Sequence, residues 1–299
     1  MAKKTTPTPF SYFGSKHRLA LELSQNLPPH NCWVELFCGS AAVTLAKEPT
    51  DIEVINDIDS EIVNFFKQLR DNPEELNRAI MLTPYAAQEL EDARIINTKD
   101  NDLERARKFI VQAMMAINGA FGKEQGGFSV SHSYSRNGVE ARVNRWNNLP
   151  ERLDKVTQRL KLVRIENKNA LTLLNKYINR PATLVYLDPP YYADRVNGYK
   201  KDANNKEFHE RLLKLINSAK CMVFISGYES ELYNAYLSKE NGWTRKEFIA
   251  NTKGSNGESH LRKEIVWMNQ NYITALDSKI VPIKLTEKEK KNKKINPER

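Results

Sequence analysis

The segment Thr183-Leu184-Val185-Tyr186-Leu187-Asp188-Pro189-Pro190-Tyr191 runs from an uncharged, β-prone stretch straight into an acid, two prolines and an aromatic residue. Residues 183–187 carry no charge and read as a buried strand of the kind found in parallel sheets. Pro189 and Pro190 remove two backbone donors and fix φ, so the strand ends there. In open α/β sheets, ligands bind just outside the carboxyl ends of the strands. Asp188 and Tyr191 are therefore expected at the rim of a site, on backbone that two prolines hold stiff.

An acid, a free backbone carbonyl and an aromatic side chain suit one chemistry, substitution at the exocyclic amino group of adenine. That nitrogen is a poor nucleophile because its lone pair is conjugated into the ring. A carboxylate and a carbonyl can both accept its N–H hydrogens. They draw the nitrogen toward tetrahedral geometry and offset the positive charge that grows as it attacks a methyl donor. The aromatic residue can stack on the base and hold it flat. The plain alternative is a strand-to-loop turn that happens to contain Asp-Pro-Pro.

Upstream, Cys32-Trp33-Val34-Glu35-Leu36-Phe37-Cys38-Gly39-Ser40-Ala41-Ala42 reads as strand, tight turn and helix start. Gly39 permits a turn conformation closed to other residues, and Ser40 and Ala41 are small enough for a ligand to approach the backbone. Ile52-Glu53-Val54-Ile55-Asn56-Asp57 reads as a second strand ending in an acid. It follows the first by roughly twenty residues, the spacing at which a carboxylate receives ribose hydroxyls in nucleotide-binding α/β folds. Ahead of both, Pro9-Phe10-Ser11-Tyr12-Phe13-Gly14-Ser15-Lys16 leads into an amphipathic helix over 17–26. The aromatics and lysine offer either a stacking surface with a cation near helix amides, or a hydrophobic staple beside a capped helix.

From 72 to 164 the α/β alternation breaks. Helices are expected over 61–69, 73–81, 84–96, 103–117 and 150–162, the first of them ahead of the break. Between the last two lies a Gly- and Ser-rich stretch with interleaved aromatics, amides and cations. Lys123, Ser129, Arg136, Arg142 and Arg145 are its candidates for reading base edges and phosphates. A solvated connection between helices is the bland alternative, but loops this long are more often functional. The alternation then resumes, with strands over 162–165, 183–187, 221–228, 243–249 and 264–269 and helices over 170–177, 208–218 and 229–236. Residues 193–205 and 251–262 read as polar loops. The expected fold is a mostly parallel α/β sheet covered on both faces, with an inserted helical domain.

The chain has 299 residues, 40% hydrophobic and 28% charged, an ordinary globular balance. No apolar run approaches the roughly 18 residues that span a bilayer. The polar start leads into no signal-peptide core, so the expected compartment is the cytoplasm. Cys32, Cys38 and Cys221 lack metal-type spacing, and no Cys/His cluster points to a metal. Net charge is +9, which favours polyanionic partners, nucleic acid above all. Residues 284–299 alone hold seven Lys/Arg against three Asp/Glu, so a basic tail supplies part of that excess.

In this order, residues 10–16, 35–41, Asn56-Asp57, Asp188 to Tyr191, 224–228 and 262–269 resemble the Dam-type, alpha-group DNA N6-adenine methyltransferases. The resemblance covers about residues 9–272. It implies a Rossmann-like S-adenosylmethionine-dependent methyltransferase sheet with a mainly helical target-recognition insertion. The catalytic domain would comprise 1–71 and 165–280, the insertion 72–164 and the basic tail 281–299. Tyr12 and Lys16 would help hold S-adenosylmethionine, with Tyr12 near its adenine. Glu35, Phe37, Gly39 and Ser40, within 35–41, would wrap its methionine end, and Asp57 would take the ribose hydroxyls. Asp188 would touch both cofactor and target amine, as part of a catalytic set with Pro189, Pro190 and Tyr191. The family often has a second glycine where this chain has Ala41.

The implied partner is double-stranded DNA, bound by a monomer in a bacterial or phage-infected cell, with a cognate restriction endonuclease a possible companion. Relatives acting on RNA adenine or on cytosine N4 more often carry Asn or Ser before the two prolines, which Asp188 argues against. A non-catalytic DNA-binding protein is the remaining alternative, opposed by the intact tetrapeptide and Asp57.

Overall fold

The computed structural model of the chain describes residues 5–10, 16, 19–117, 126–133, 138–192, 206–253 and 259–282. Seven strands form one sheet in the order β3-β2-β1-β4-β5-β7-β6. They are β1 (Cys32–Glu35), β2 (Ile52–Asn56), β3 (Val163–Glu166), β4 (Thr183–Leu187), β5 (Met222–Gly227), β6 (Trp243–Lys253) and β7 (Ser259–Asn269). The first five are parallel, and β7 runs antiparallel to both β5 and β6. The expected α/β architecture is the one that forms.

Side chains alternate across β1 and β4, and both faces are covered. Val34, Val185 and Leu187 pack with α9 (Ala170–Tyr177), α10 (Lys206–Asn217) and α11 (Glu231–Tyr236). Trp33, Leu184 and Tyr186 pack with α1 (Ala20–Gln25), α2 (Ala42–Ala46) and α12 (Gln270–Ser278). A strand apolar at every position is the expected signature of such two-sided burial. On the second face an aromatic row crosses the sheet, with Trp33 and Tyr186 at 6.2 Å and Tyr186 and Phe224 at 4.5 Å between ring centroids.

The helical segment consists of α4 (Pro73–Met81), α5 (Ala87–Arg94), α6 (Asp102–Met115), α7 (Ala141–Asn147) and α8 (Leu149–Leu160), following α3 (Ser60–Asp71). Prolines open the first turns of α4 and α8, where the missing N–H costs nothing. Asn101 caps α6 by accepting from the Glu104 amide at 2.8 Å. Leu76, Ile80, Leu90, Phe109, Ile110, Val156 and Leu160 share one hydrophobic cluster with Ile62, Phe65, Phe66 and Leu69 of α3. The helical segment therefore packs onto α3 and shares one core with it.

Beyond α6, residues 115–117 are tied to residues 127–129. The Ile117 amide donates to the Gly127 carbonyl and the Ser129 amide to the Met115 carbonyl, both at 2.8 Å. Gly126 is needed there, because a Cβ would lie 2.1 Å from the Ile117 oxygen. Tyr85 Oη donates to the Ser129 carbonyl at 2.6 Å, and Trp146 Nε1 to the Thr83 carbonyl at 2.8 Å.

Three features differ from the sequence expectation. The final hairpin pairs without a break from Trp243↔Asn269 to Lys253↔Ser259, so strand pairing continues into residues expected to be loop. Short α7 and amphipathic α12 were not foreseen, since one or two turns give too little periodicity to register. Residues 193–205, expected as a polar loop, lie outside the described residues, as do 118–125 and those from 283 on.

Between β1 and α2 the chain turns at Gly39 (φ 47°) and at Ala41 (φ 54°, ψ 36°), both in the left-handed region. Ala41 is fully buried, and its Cβ pays a left-handed penalty of roughly 1–2 kcal/mol. Replacing it with glycine removes that penalty but also loses a buried methyl, about 0.8 kcal/mol, and frees the unfolded chain by about 0.4–1 kcal/mol. Ala41→Gly is thus expected to leave Tm nearly unchanged. Ala41→Val adds β-branching and bulk at a fully packed position and should cost about 3 kcal/mol or more. Thermal melts of the two variants check this directly.

Candidate active site

Parallel pairing places three acids at one edge of the sheet. Glu35 ends β1 and pairs with Ile55 of β2 and Tyr186 of β4. Asp57 follows Asn56, the last residue of β2, and Asp188 follows Leu187, the last residue of β4. Asn56 ties the strand ends together, its Nδ2 donating to the Leu36 and Lys168 carbonyls, each at 3.0 Å.

Asp57 is 9% exposed and accepts from two backbone amides. Gly39 N donates to Oδ2 and Asp59 N to Oδ1, each at 2.9 Å. The carboxyl thereby holds the glycine turn in place while each oxygen keeps acceptor capacity for a ligand hydroxyl. Burial pushes it up to about 6, against the pull of these amide bonds.

Glu35 is 3% exposed, and Thr44 of α2 donates to it from its amide at 3.0 Å and from its hydroxyl. That hydroxyl is oriented by Trp33 Nε1, which donates to it at 2.7 Å. Burial pushes the Glu35 carboxyl up to about 8, and no lysine or arginine forms an ion pair with it among the described residues. A buried acid without a cation of its own fits a positively charged ligand. Beside it stand Phe37, whose ring meets Phe208 edge-on at 6.2 Å, and Ser40, which is 2% exposed.

Asp188 belongs to a tighter group. Lys16 Nζ lies 2.7 Å from Asp188 Oδ1 and 3.1 Å from Glu264 Oε1, and donates to Tyr191 Oη. Tyr191 Oη donates to Glu264 and lies 3.4 Å from Asp188 Oδ1. The Lys16 ammonium also sits 4.9 Å from the centre of the Tyr191 ring. Burial alone would lower Lys16, but Asp188 and Glu264 overcome it and hold the ammonium above the usual lysine range. Burial raises Asp188 to about 6, with Lys16 pulling down and Glu264 pushing up. Burial, then Asp188 and Glu264, keep the Tyr191 phenol well above its ordinary value, so it stays a neutral donor. On its ring side Tyr191 meets Tyr228, with centroids 4.3 Å apart.

The structure thus brings Lys16, Asp188 and Tyr191 into one group, and Gly39 and Asp57 into another. Pro189 is buried, Pro190 partly so, and the pair carries the chain off β4 as the sequence indicates. Ser129, Arg142 and Arg145 lie on the helical segment, where Ser129 is 4% exposed and its backbone closes the loop base. Tyr12, Lys123 and Arg136 fall outside the described residues. Sequence reasoning missed Glu264, Thr44 and Tyr228 as members of the site. For Glu264 a signal existed, an acid opening the otherwise apolar run Ile265-Val266-Trp267 of β7.

Several solved methyltransferase structures align with the chain at low identity. One is a precorrin-6y C5,15-methyltransferase from Geobacter metallireducens, at 8% identity and a TM-score of 0.37, covering 84% of this chain and 86% of that one. A second is an S-adenosylmethionine-dependent methyltransferase from Agrobacterium tumefaciens, at 8% identity and 0.36, covering 85% and 59%. A third is an rRNA methylase from Streptococcus thermophilus, at 9% identity and 0.31, covering 85% and 93%. The family model for D12 class N6 adenine-specific DNA methyltransferases matches residues 12–251. That span takes in Lys16, the Gly39 turn, Asp57, the helical segment and the Asp-Pro-Pro-Tyr turn. On that match the chain belongs to the D12 class N6 adenine-specific DNA methyltransferase family.

Proposed function

We propose that the protein grips double-stranded DNA through its helical segment, turns one adenine out of the stack, and receives its amino group at Asp188 for methylation at N6. The coarser statement comes with the family: the chain is a DNA adenine methyltransferase that uses S-adenosylmethionine. The observation that carries the finer reading is the alignment of Glu35, Asp57 and Asp188 at the carboxyl ends of three adjacent parallel strands.

When bound, S-adenosylmethionine supplies an electrophilic methyl on a positively charged sulfur. The buried Glu35 carboxyl faces that positive ligand, and Asp57 takes its ribose hydroxyls. Asp188 accepts an N–H of the target amine and offsets the charge growing on nitrogen. Lys16 fixes the orientation of the Asp188 carboxylate and keeps it ionised, and Tyr191 offers its ring to the extruded base. Extrusion costs a few kcal/mol, about what stacking and the amine hydrogen bonds return. The amine proton becomes acidic only after transfer, so a strong base is unnecessary and positioning dominates.

The same reading divides the chain into a catalytic domain, 1–71 with 165–280, and a target-recognition insertion, 72–164, followed by a basic tail from 281. It takes Tyr12 as a cofactor contact and Lys123, Ser129, Arg136, Arg142 and Arg145 as DNA contacts. It has the enzyme act as a monomer in the cytoplasm of a bacterial or phage-infected cell, alone or beside a restriction endonuclease. No helix among the described residues is long and apolar enough to cross a membrane.

Asp188→Ala should lower kcat by about 100- to 1,000-fold, the scale of losing one transition-state electrostatic partner. Labelled-methyl transfer with mass analysis of the nucleosides reads this out. Near-native turnover, or a methyl found on anything but the adenine amine, would sink the proposal.

The activity of the wild type should climb with pH through about 6 and then level off, because only ionised Asp188 accepts from the amine. A rate profile that is flat across this range contradicts the assigned role.

Glu35 holds its proton more tightly folded than unfolded, so its contribution to stability is full below about 4 and is lost as pH rises through about 8. Glu35→Gln should therefore gain Tm relative to the ligand-free wild type between pH 5 and pH 8 while weakening S-adenosylmethionine binding. Melts at the two pH values and calorimetric titration test both halves.

A further inference from the structure

Away from the strand ends, α7 and the start of α8 border a cleft of about 260 Å³ lined by Pro7, Arg145, Asn148, Glu151, Arg152 and Lys155. The one carboxylate in that lining is already matched, since Lys155 Nζ lies 2.7 Å from Glu151. Arg152 is not matched. No ion pair reaches it among the described residues, its Nε is buried without a hydrogen-bond partner, and its Nη2 meets the Met114 sulfur at 3.6 Å. A second guanidinium, that of Arg145, lines the same cleft. Burial and Arg145 push the Arg152 guanidinium down to about 10, and burial and Arg142 push Arg145 down as well. A guanidinium partly stripped of water beside another cation is destabilised unless an anion joins it. A guanidinium fork matches two oxygens of a phosphate group. Asn148, Glu151 and Lys155 are exposed, so the cleft mouth is reachable from solvent.

We propose that this cleft seats a backbone phosphodiester of the DNA substrate, held by Arg152 together with Arg145. The inference rests on the reading of the protein as a duplex-DNA methyltransferase and names where one strand is gripped. Its position fits that use. Arg145 adjoins Trp146, which is anchored to Thr83, and Tyr85 two residues on anchors Ser129, another of the residues read as DNA contacts. The cleft and Ser129 are thus fixed to the same stretch of chain between α4 and α5. A phosphodiester contact of this kind carries no sequence information and sets register only.

The test uses the full chain with Arg152→Gln and Arg152→Lys, and a fluorescent mixed-sequence duplex titrated at several salt concentrations. Arg152→Gln should weaken duplex binding about tenfold, similarly for unrelated sequences. It should also make the slope of log Kobs against log salt shallower by about one. Arg152→Lys should restore the slope and only part of the affinity, because the charge returns without the fork. S-adenosylmethionine binding and Tm serve as controls. Unchanged duplex affinity and slope in Arg152→Gln overturn the proposal. So does a parallel fall in Tm, cofactor binding and duplex binding that lysine does not repair, which would make Arg152 structural. Stabilisation of the wild type by inorganic phosphate, with duplex binding indifferent to Arg152, would mean a free-anion site and also overturns it. Methylation of duplex adenine by the wild type is scored separately, so failure of the cleft is distinguishable from failure of the methyltransferase reading.

Discussion

Parallel pairing of β2, β1 and β4 is the constraint on which the site depends. A parallel register runs all three chains in one direction, so their carboxyl ends emerge at one edge. Each strand is apolar along nearly its whole length and closes with an acid at that edge, namely Glu35, Asp57 and Asp188. An antiparallel neighbour would have sent one of these acids to the opposite edge. The two-sided burial that makes the strands apolar also supplies the low dielectric around their ends. The fold thus creates both the convergence of the acids and the electrostatic tension among them.

That tension is handled differently at each acid. Asp57 is held by two backbone amides, Glu35 by a threonine amide and hydroxyl, and Asp188 by the Lys16 ammonium. Only the last is a charge, and it is shared with Glu264. Glu35 and Asp57 remain raised in pKa, so each gains when a cation or a hydroxyl donor arrives. Asp188 is raised too, to about 6, with the Lys16 ammonium pulling it down against burial. The three acids thus share one burial and differ in the partners that answer it.

Much of this is legible in the amino-acid sequence, because strands with abrupt ends announce themselves. The run 183–187 and its Asp-Pro-Pro stop locate β4 to the residue, and Gly39 and Asp57, read as a pair, do meet through a hydrogen bond. Glu264 was less visible because its partners, Lys16 and Tyr191, are 248 and 73 residues away in sequence. Only the antiparallel insertion of β7 beside β5 brings it to the site. Ala41 was read as a small residue near a ligand, and its left-handed backbone could not be inferred from alanine. The helical segment was recognised by composition, yet the core it shares with α3 depends on helix faces meeting across the chain.

The helix α8 is where these separate regions join. Arg152, near its start, borders the cation cleft, while Arg159, near its end, pairs with buried Glu53 and donates to the Thr44 carbonyl at 3.1 Å. Thr44 in turn holds Glu35. Seven residues of helix span about 10 Å, so the two arginines stand about two turns apart on one side of a rigid rod. Lys47, 2.5 Å from Glu53, is a second cation on the same carboxylate. A cation inserted there is not easily withdrawn, because removing one partner leaves a buried charge, a cost of several kcal/mol on the scale of about 3–5. The inner end of α8 is therefore fixed against β2 through Glu53 and against α2 through Thr44. Its outer end, with Arg152, is thereby held at a set spacing from the strand end that carries Glu35.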